Sequence, residues 1–265
     1  MKKLEMYCIT LNNNHAKIIS ALGYVPVGLG KNIVSNLFVR DNSDLNISSK
    51  NDFYGEYTFH YWLWKNMIDD IPEKTWIGFC GYRYFWKQNN LISNENKKSD
   101  ILKSIPKEWE SYESVVANKI SVSNLKFIKI IKNGGLSFIF NSNTYKGEKQ
   151  SIKFHFDVFH GKNFIDRAVE LLDDENRNDF NKYVKENNEF HKWNMFICNS
   201  KEKIKRYYES LFPWLNKCEN IFGFDLHGYG KKRIYAFLAE RYLSYWFTKN
   251  TNYITWPVFR YDLDV

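Results

Sequence analysis

Gly81-Tyr82-Arg83 closes the apolar run Thr75 to Cys80 (TWIGFC), whose aromatic and β-branched residues predict a strand. Ligands of open α/β sheets bind outside the carboxyl ends of the strands, a place where such enzymes often carry metal-holding carboxylates. An arginine there offers a permanent positive charge and a fork of donors that fits phosphate in bidentate fashion. Thr10 to His15 (TLNNNH) takes the same position after a first predicted strand, Lys3 to Thr10, and is a candidate nucleotide-contacting loop.

Four further sets of residues have chemistry to offer. Asp41 and Asp44, three apart in DNSDLNIS, either hold a divalent cation through hard oxygen ligands or make local turn hydrogen bonds, and chemistry alone favours the turn. Glu56 and His60 stand at i and i+4 on one face of a predicted aromatic helix. They form either a structural pair, or a site in which Glu56 at the helix start reaches a sugar hydroxyl or orients a loop. FHFDVFHG supplies His155, Asp157 and His160. Read as a strand, it puts His155 and Asp157 on one face and His160 on the other, so a three-ligand metal set does not follow. Acceptor-sugar binding and plain packing are the other readings. Glu240 and Arg241 are adjacent on a predicted helix, where side chains diverge by ~100°, so no direct pair is expected and a solvated placement is.

The elements that must position these groups alternate. Gly28 to Lys50 reads as a long loop; Tyr54 to Ile68 (YGEYTFHYWLWKNMI) is apolar on nearly every face and predicts a buried helix that ends before Pro72. Later come a helix over Asn163 to Asp173, a strand at Trp193 to Cys198, a long helical pattern over Lys201 to Phe222 interrupted at Pro213, and a helix over Lys231 to Trp246. Helix and strand in alternation predict a mixed α/β sheet covered by helices. At 265 residues the chain is read as one domain, with an insertion or subdomain at about 87–153, a polar stretch holding twelve Lys against six acidic residues.

Composition narrows the function classes. The net charge of +8 is spread without long basic blocks, which points to a solvated or membrane-facing surface before a nucleic-acid groove. Four scattered cysteines, with no Cys-x-x-Cys pair, are expected to be reduced and buried. No apolar run approaches a membrane span, and MKKLEMYCITLNNN is too short in apolar residues for a secretory signal, so a cytoplasmic location is expected. No dinucleotide fingerprint, Walker loop, nucleophile elbow or His-Glu-x-x-His is present, which disfavours oxidoreductase, P-loop and serine-hydrolase readings.

Five phrases stand out in order along the chain: Asn46-Ile47-Ser48 with Asn51, Tyr54-Gly55-Glu56-Tyr57-Thr58 running into Tyr61-Trp62-Leu63-Trp64-Lys65-Asn66, Ile77 to Arg83, Asn194-Met195-Phe196-Ile197, and Phe237 to Leu243. Together they resemble a family of bacterial glycosyltransferases from capsular-polysaccharide and O-antigen clusters, long catalogued as a domain of unknown function and including galactofuranosyltransferase-like members. The family often has His-Tyr-Arg-Arg-Tyr-Phe where this chain has Gly81-Tyr82-Arg83-Tyr84-Phe85-Trp86, and an aspartate where Leu45 stands here.

The resemblance implies a GT-A-like, Rossmann-related fold and transfer of a sugar from a nucleotide donor to a lipid-linked or oligosaccharide acceptor. With that reading, donor contacts are expected from Thr10, Asp41, Asn46, Asn51, Tyr82, Arg83 and Asn194, and acceptor contacts from His155, His160 and Arg241. Arg83 would stabilise the departing pyrophosphate in place of a metal, so a divalent cation such as manganese or magnesium is not expected to be essential. Glu240, Asp157 and Glu56 are the candidates for the base that inversion requires. A lipid-linked acceptor fits a basic surface and peripheral membrane association. The competing reading is a non-catalytic carbohydrate- or nucleic-acid-binding module, although most Trp and Phe residues fall in segments that read as buried.

Overall fold

A computed structural model describes residues 3–30, 35–90, 97–123 and 150–264. Part of the insertion or subdomain expected at about 87–153, and part of the loop expected over Gly28 to Lys50, lie outside the described residues. The chain divides into two compact units: Met1–Asn118, Trp193–Glu209 and Phe247–Val265 form the first, and Lys119–Lys192 with Ser210–Trp246 form the second. The Lys-rich stretch at 87–153 is thus shared between them.

The first unit is built on a mixed sheet. Strand β1 (Lys3–Thr10) is the expected first strand; helix α1 (His15–Ala21) carries the chain to β2 (Val25–Gly28), and the two-residue β3 (Val39–Arg40) follows. After α2 (Asn51–Tyr54) and α3 (Tyr57–Asn66) come β4 (Thr75–Gly81) and β5 (Tyr84–Trp86). Strands β6 (Ser114–Ala117), β9 (Phe196–Cys198), β10 (Tyr253–Trp256) and β11 (Val258–Arg260) complete it, while β7 (Lys119–Ser121) and β8 (Glu189–His191) make a separate ladder in the second unit.

The order β10-β6-β9-β4-β1-β2-β3 places β1 and β4 at the centre, where β1 pairs in parallel with both β2 and β4. Burial on both faces explains why these strands are near-continuous apolar runs. Strand β9 runs antiparallel between β4 and β6. Gly78 lets three strands close up, because a Cβ there would meet the Met6 sulfur on one side and the Ile197 side chain on the other. Trp76, Trp109 and Trp256, all fully buried, pack with ring centroids 5.5 and 5.3 Å apart. Cys8 faces Cys80 across β1 and β4, and all four cysteines are buried free thiols.

The expected helix over Tyr54 to Ile68 is broken at Gly55, whose φ of 56° suits glycine and starts α3 afresh.

In the second unit, α4 (Ile152–His160), α5 (Phe164–Val169) and α6 (Asp174–Glu186) precede β8. The segment FHFDVFHG is therefore helix rather than strand: Ser151 caps it by accepting from the Phe154 amide, and Gly161 at φ 110° stops it. The expected helix over Asn163 to Asp173 ends at Val169, since Asp173 caps α6 instead by accepting from Asn176. Helix α7 (Lys201–Phe222) continues through Pro213, whose missing N–H leaves the Glu209 carbonyl without its helical donor. Buried Leu211, Phe212, Trp214 and Leu215 flank that proline and offset the lost bond. A short α8 (Tyr229–Lys232) precedes α9 (Ile234–Asn250), which starts later and runs further than the expected Lys231 to Trp246. Phe180 meets Trp214 and Tyr242 edge-on at 5.8 and 5.4 Å, and Trp214 donates to the Ala168 carbonyl at 2.6 Å.

Candidate active site

Parallel register lines up one edge of the first unit's sheet: Thr10 stands opposite Gly28, Gly28 opposite Arg40, and Ile9 opposite Gly81. The segments that follow, at Leu11, Leu29, Asp41 and Tyr82, therefore emerge along one row, where ligands of open α/β sheets bind.

Thr10 and Arg83 come together there through Asn12 and His15 of the expected loop and through two aspartates that sequence reasoning missed, Asp262 and Asp264. The buried His15 ring has Nδ1 2.8 Å from Thr10 Oγ1 and Nε2 3.0 Å from Asp264 Oδ1. The Thr10 hydroxyl oxygen also accepts from the Asn12 amide at 3.1 Å. Asn12 also donates to Asp264 Oδ1 at 2.9 Å, and Tyr82 lies over His15 with centroids 5.2 Å apart. Arg83 Nε is 3.3 Å from Asp262 Oδ2 and its Nη2 is 3.4 Å from Asp264 Oδ2. The guanidinium sits 4.6 Å from the Tyr82 ring centre, yet the side chain is 49% exposed. Exposure of that order leaves it open to a ligand.

Asp262 and Asp264 reach this edge because the chain after β11 is bonded to the β4–β5 turn: the Tyr261 amide donates to the Arg83 carbonyl, and the Leu263 amide to that of Tyr82. Leu263 is buried, while Asp262 and Asp264 on either side of it both reach Arg83. Hydrogen bonding from Asn12, then His15 and Arg83, holds Asp264 below the usual carboxylate range.

Asp41 directly follows β3 and is buried, with Oδ2 making no hydrogen bond. Desolvation raises its pKa against weaker opposing pulls from Thr58, its own backbone amide and Arg40. Asn51 ties the neighbouring helix break together, donating to the Gly55 carbonyl at 3.0 Å and Thr58 Oγ1 at 3.2 Å. Asn46 lies apart in an exposed turn, bonded to the Ser43 and Asp44 carbonyls and to Ser48. Asp44, exposed and at φ 49°, belongs to that same turn.

Glu56 and His60 do not pair with each other. Glu56 accepts from Asn194 Nδ2 at 2.9 Å, whereas His60 Nδ1 meets Tyr208 OH at 2.7 Å. Asn194 Oδ1 accepts from Tyr57 OH, which contacts Tyr207 OH, both at 3.1 Å. These bonds hold two consecutive non-glycine residues, Trp193 and Asn194, at φ 78° and 53°. Each such left-handed residue costs on the order of 1–3 kcal/mol. Trp193 stacks on Tyr84 with centroids 5.0 Å apart and planes 29° apart.

In the second unit, Glu240 and Arg241 correct the expectation of solvated, unpaired side chains. Arg241 is 1% exposed and its guanidinium turns back to Glu240. It also lies 4.2 Å from the Phe190 ring centre and 3.2 Å from His155 Nδ1. Burial, reinforced by the Arg241 charge, lowers the His155 pKa to about 3. His160 bonds to the Gly230 carbonyl at 3.1 Å and stacks on Phe237 at 4.0 Å. Asp157 accepts from Lys153 at 2.6 Å and from the Asn163 amide at 3.0 Å. His155, Asp157 and His160 thus face separate partners, and no group of three or more His, Cys, Asp or Glu among the described residues is placed to hold a metal.

The mostly parallel sheet with β9 reversed beside β4 makes this a GT-A-like fold. A family model described as "Domain of unknown function (DUF4422)" matches residues 7–251, and the chain belongs to that family. Among solved structures it is similar to the apo form of WbbM, a bifunctional glycosyltransferase, at 18% identity and a TM-score of 0.67. The match covers 97% of this chain and 45% of that one, so the chain spans less than half of WbbM. No curated protein matches.

Proposed function

We propose that the chain moves a sugar from a nucleotide donor, UDP-galactofuranose or another UDP-hexose, to a lipid-linked or oligosaccharide acceptor in capsule, O-antigen or lipooligosaccharide assembly. The observation that carries the proposal is Arg83: a half-exposed guanidinium at the carboxyl edge of the sheet, beside Tyr82 and the Thr10–His15 loop. Negative charge grows on the pyrophosphate as the glycosyl bond breaks, and a fixed cation there lowers the barrier. The fold likeness to a glycosyltransferase supports the same reaction class. Asp41, with its unbonded carboxylate oxygen, is proposed to meet a donor group of the nucleoside.

The carboxylates at this edge fit a divalent cation poorly. Asp264 faces Asn12, His15 and Arg83, while Asp262 faces Arg83, Arg260 and the Asp264 amide. A metal would first have to displace Arg83, so the mechanism uses the guanidinium.

The acceptor hydroxyl gives its proton to a carboxylate if the anomeric centre inverts. Asp157 is held by Lys153 and the Asn163 amide, and Glu240 is engaged by Arg241. Glu56, oriented by Asn194, is the base this reading favours. Among the described residues no helix is long and apolar enough to cross a membrane, and the net charge of +8 suits association with an anionic leaflet. The core positions of Trp76, Trp86, Trp109 and Trp256 speak against a nucleic-acid module that stacks bases on displayed rings.

A thermal-shift screen with nucleoside diphosphates and nucleotide sugars, with and without manganese, tests the proposal. Stabilisation by one nucleotide class without added metal is expected; a melting temperature unmoved by every nucleotide would overturn it.

A further inference from the structure

Strand order fixes which way a bound nucleotide sugar would run. Thr10 and Asp41, at the ends of β1 and β3, lie on one side of Arg83, and β9 borders β4 on the other. Because β9 is antiparallel, with Ile77 opposite Cys198 and Gly78 opposite Ile197, the residues leading into it arrive at the carboxyl end of β4. Those residues are Trp193 and Asn194, the consecutive left-handed pair. A nucleoside toward β1 and β3 and a pyrophosphate at Arg83 would send the sugar toward Trp193.

We infer that Trp193, stacked on Tyr84, is the platform for the donor's sugar ring, an inference that rests on the nucleotide-sugar reading above. Both rings are only partly buried, at the rim of the hydrophobic core, and Tyr84 directly follows Arg83. A relaxed backbone would serve for packing alone. Here the strained turn is held instead by a dedicated polar set, Glu56, Tyr57 and Asn194, which directs the asparagine inward and the indole onto Tyr84. Flat aromatic faces bind the C–H faces of pyranose and furanose rings while their hydroxyls stay available to polar groups. The Tyr-Gly-Glu-Tyr and Asn-Met-Phe-Ile phrases thereby acquire one shared role, since Gly55 starts the helix that brings Glu56 and Tyr57 to Asn194.

Calorimetric titration of UDP, UDP-galactopyranose and UDP-galactofuranose into wild-type protein and the Trp193→Phe and Trp193→Leu variants tests this. Trp193→Leu is expected to weaken the preferred UDP-sugar about tenfold while leaving UDP within about twofold, and Trp193→Phe to retain most of the affinity. Equal losses for UDP and UDP-sugar, or no loss for either, would overturn the platform while leaving the proposed function standing. Wild-type protein that binds none of the three would overturn both. If Trp193→Leu does not fold, Trp193→Met, which keeps bulk without a flat ring, takes its place and is read by the same outcomes: a loss confined to the UDP-sugar upholds the platform, and equal losses or no loss overturn it.

Discussion

Arg83 and Asp264 are 181 residues apart in sequence, and Nη2 of the first lies 3.4 Å from Oδ2 of the second. The carboxylate occupies the side of the guanidinium that a phosphate would also seek, so it competes with the ligand proposed for this edge. Replacing it with Asp264→Asn keeps an oxygen for Asn12 and His15 but removes the competing charge. The expected result is UDP binding tighter by about fivefold at low salt, the scale of an exposed ion pair, measured by calorimetry. Weaker binding would instead mark Asp264 as a ligand-holding group.

Asp41 carries a second prediction. Its native pKa lies above the unfolded value, so the stability tied to its neutral form is complete below the unfolded pKa and is lost as pH rises through the native one. At neutral pH the buried carboxylate therefore weakens the fold. Asp41→Asn should stabilise the protein by about 1 kcal/mol at pH 8, with a smaller gain at pH 4, while impairing nucleotide binding. Thermal melts at both pH values check the first part and nucleotide titration the second.

His60 predicts the opposite pH trend. Burial lowers its pKa to about 3, so the native state holds fewer protons than the unfolded chain between that value and the ordinary histidine pKa. Stability is full above about pH 6.5 and declines toward pH 3, by at most about 1.4 kcal/mol per pH unit for this one group. His60→Gln, which keeps a partner for Tyr208, should flatten urea-unfolding free energies measured from pH 7 to pH 4. His155, also lowered to about 3, remains to give a residual slope in that variant.

Much of the sheet was legible before the structure. Lys3–Thr10 and Thr75–Gly81 pair in parallel at the centre of a mixed sheet, where burial on both faces writes itself as the apolar stretches Met6 to Ile9 and Trp76 to Cys80. FHFDVFHG was misread because alternating aromatics over a few residues fit a strand, while the Ser151 cap and the Gly161 stop carried the helical signal. Asp262 and Asp264 escaped notice because their role arises from contacts with Asn12, His15 and Arg83, which no local pattern encodes. Trp193 escaped for another reason: nothing in a sequence announces a positive φ at a tryptophan, and this turn is held by Glu56 and Tyr57 through Asn194. The Glu240–Arg241 pair contradicted a correct statement about diverging Cα–Cβ directions, since the long arginine side chain folds back beneath Phe190.

The central claim is that the Arg83 guanidinium holds the departing pyrophosphate. The most direct measurement is the single-turnover rate of sugar transfer for wild type and Arg83→Ala, each in EDTA and in manganese, with melting curves to establish that the variant is folded. A loss of about 10²- to 10³-fold in the variant, with wild-type rates alike in EDTA and manganese, is the predicted result. Near-normal transfer by Arg83→Ala, or a wild-type rate abolished by EDTA and restored by manganese, would contradict it.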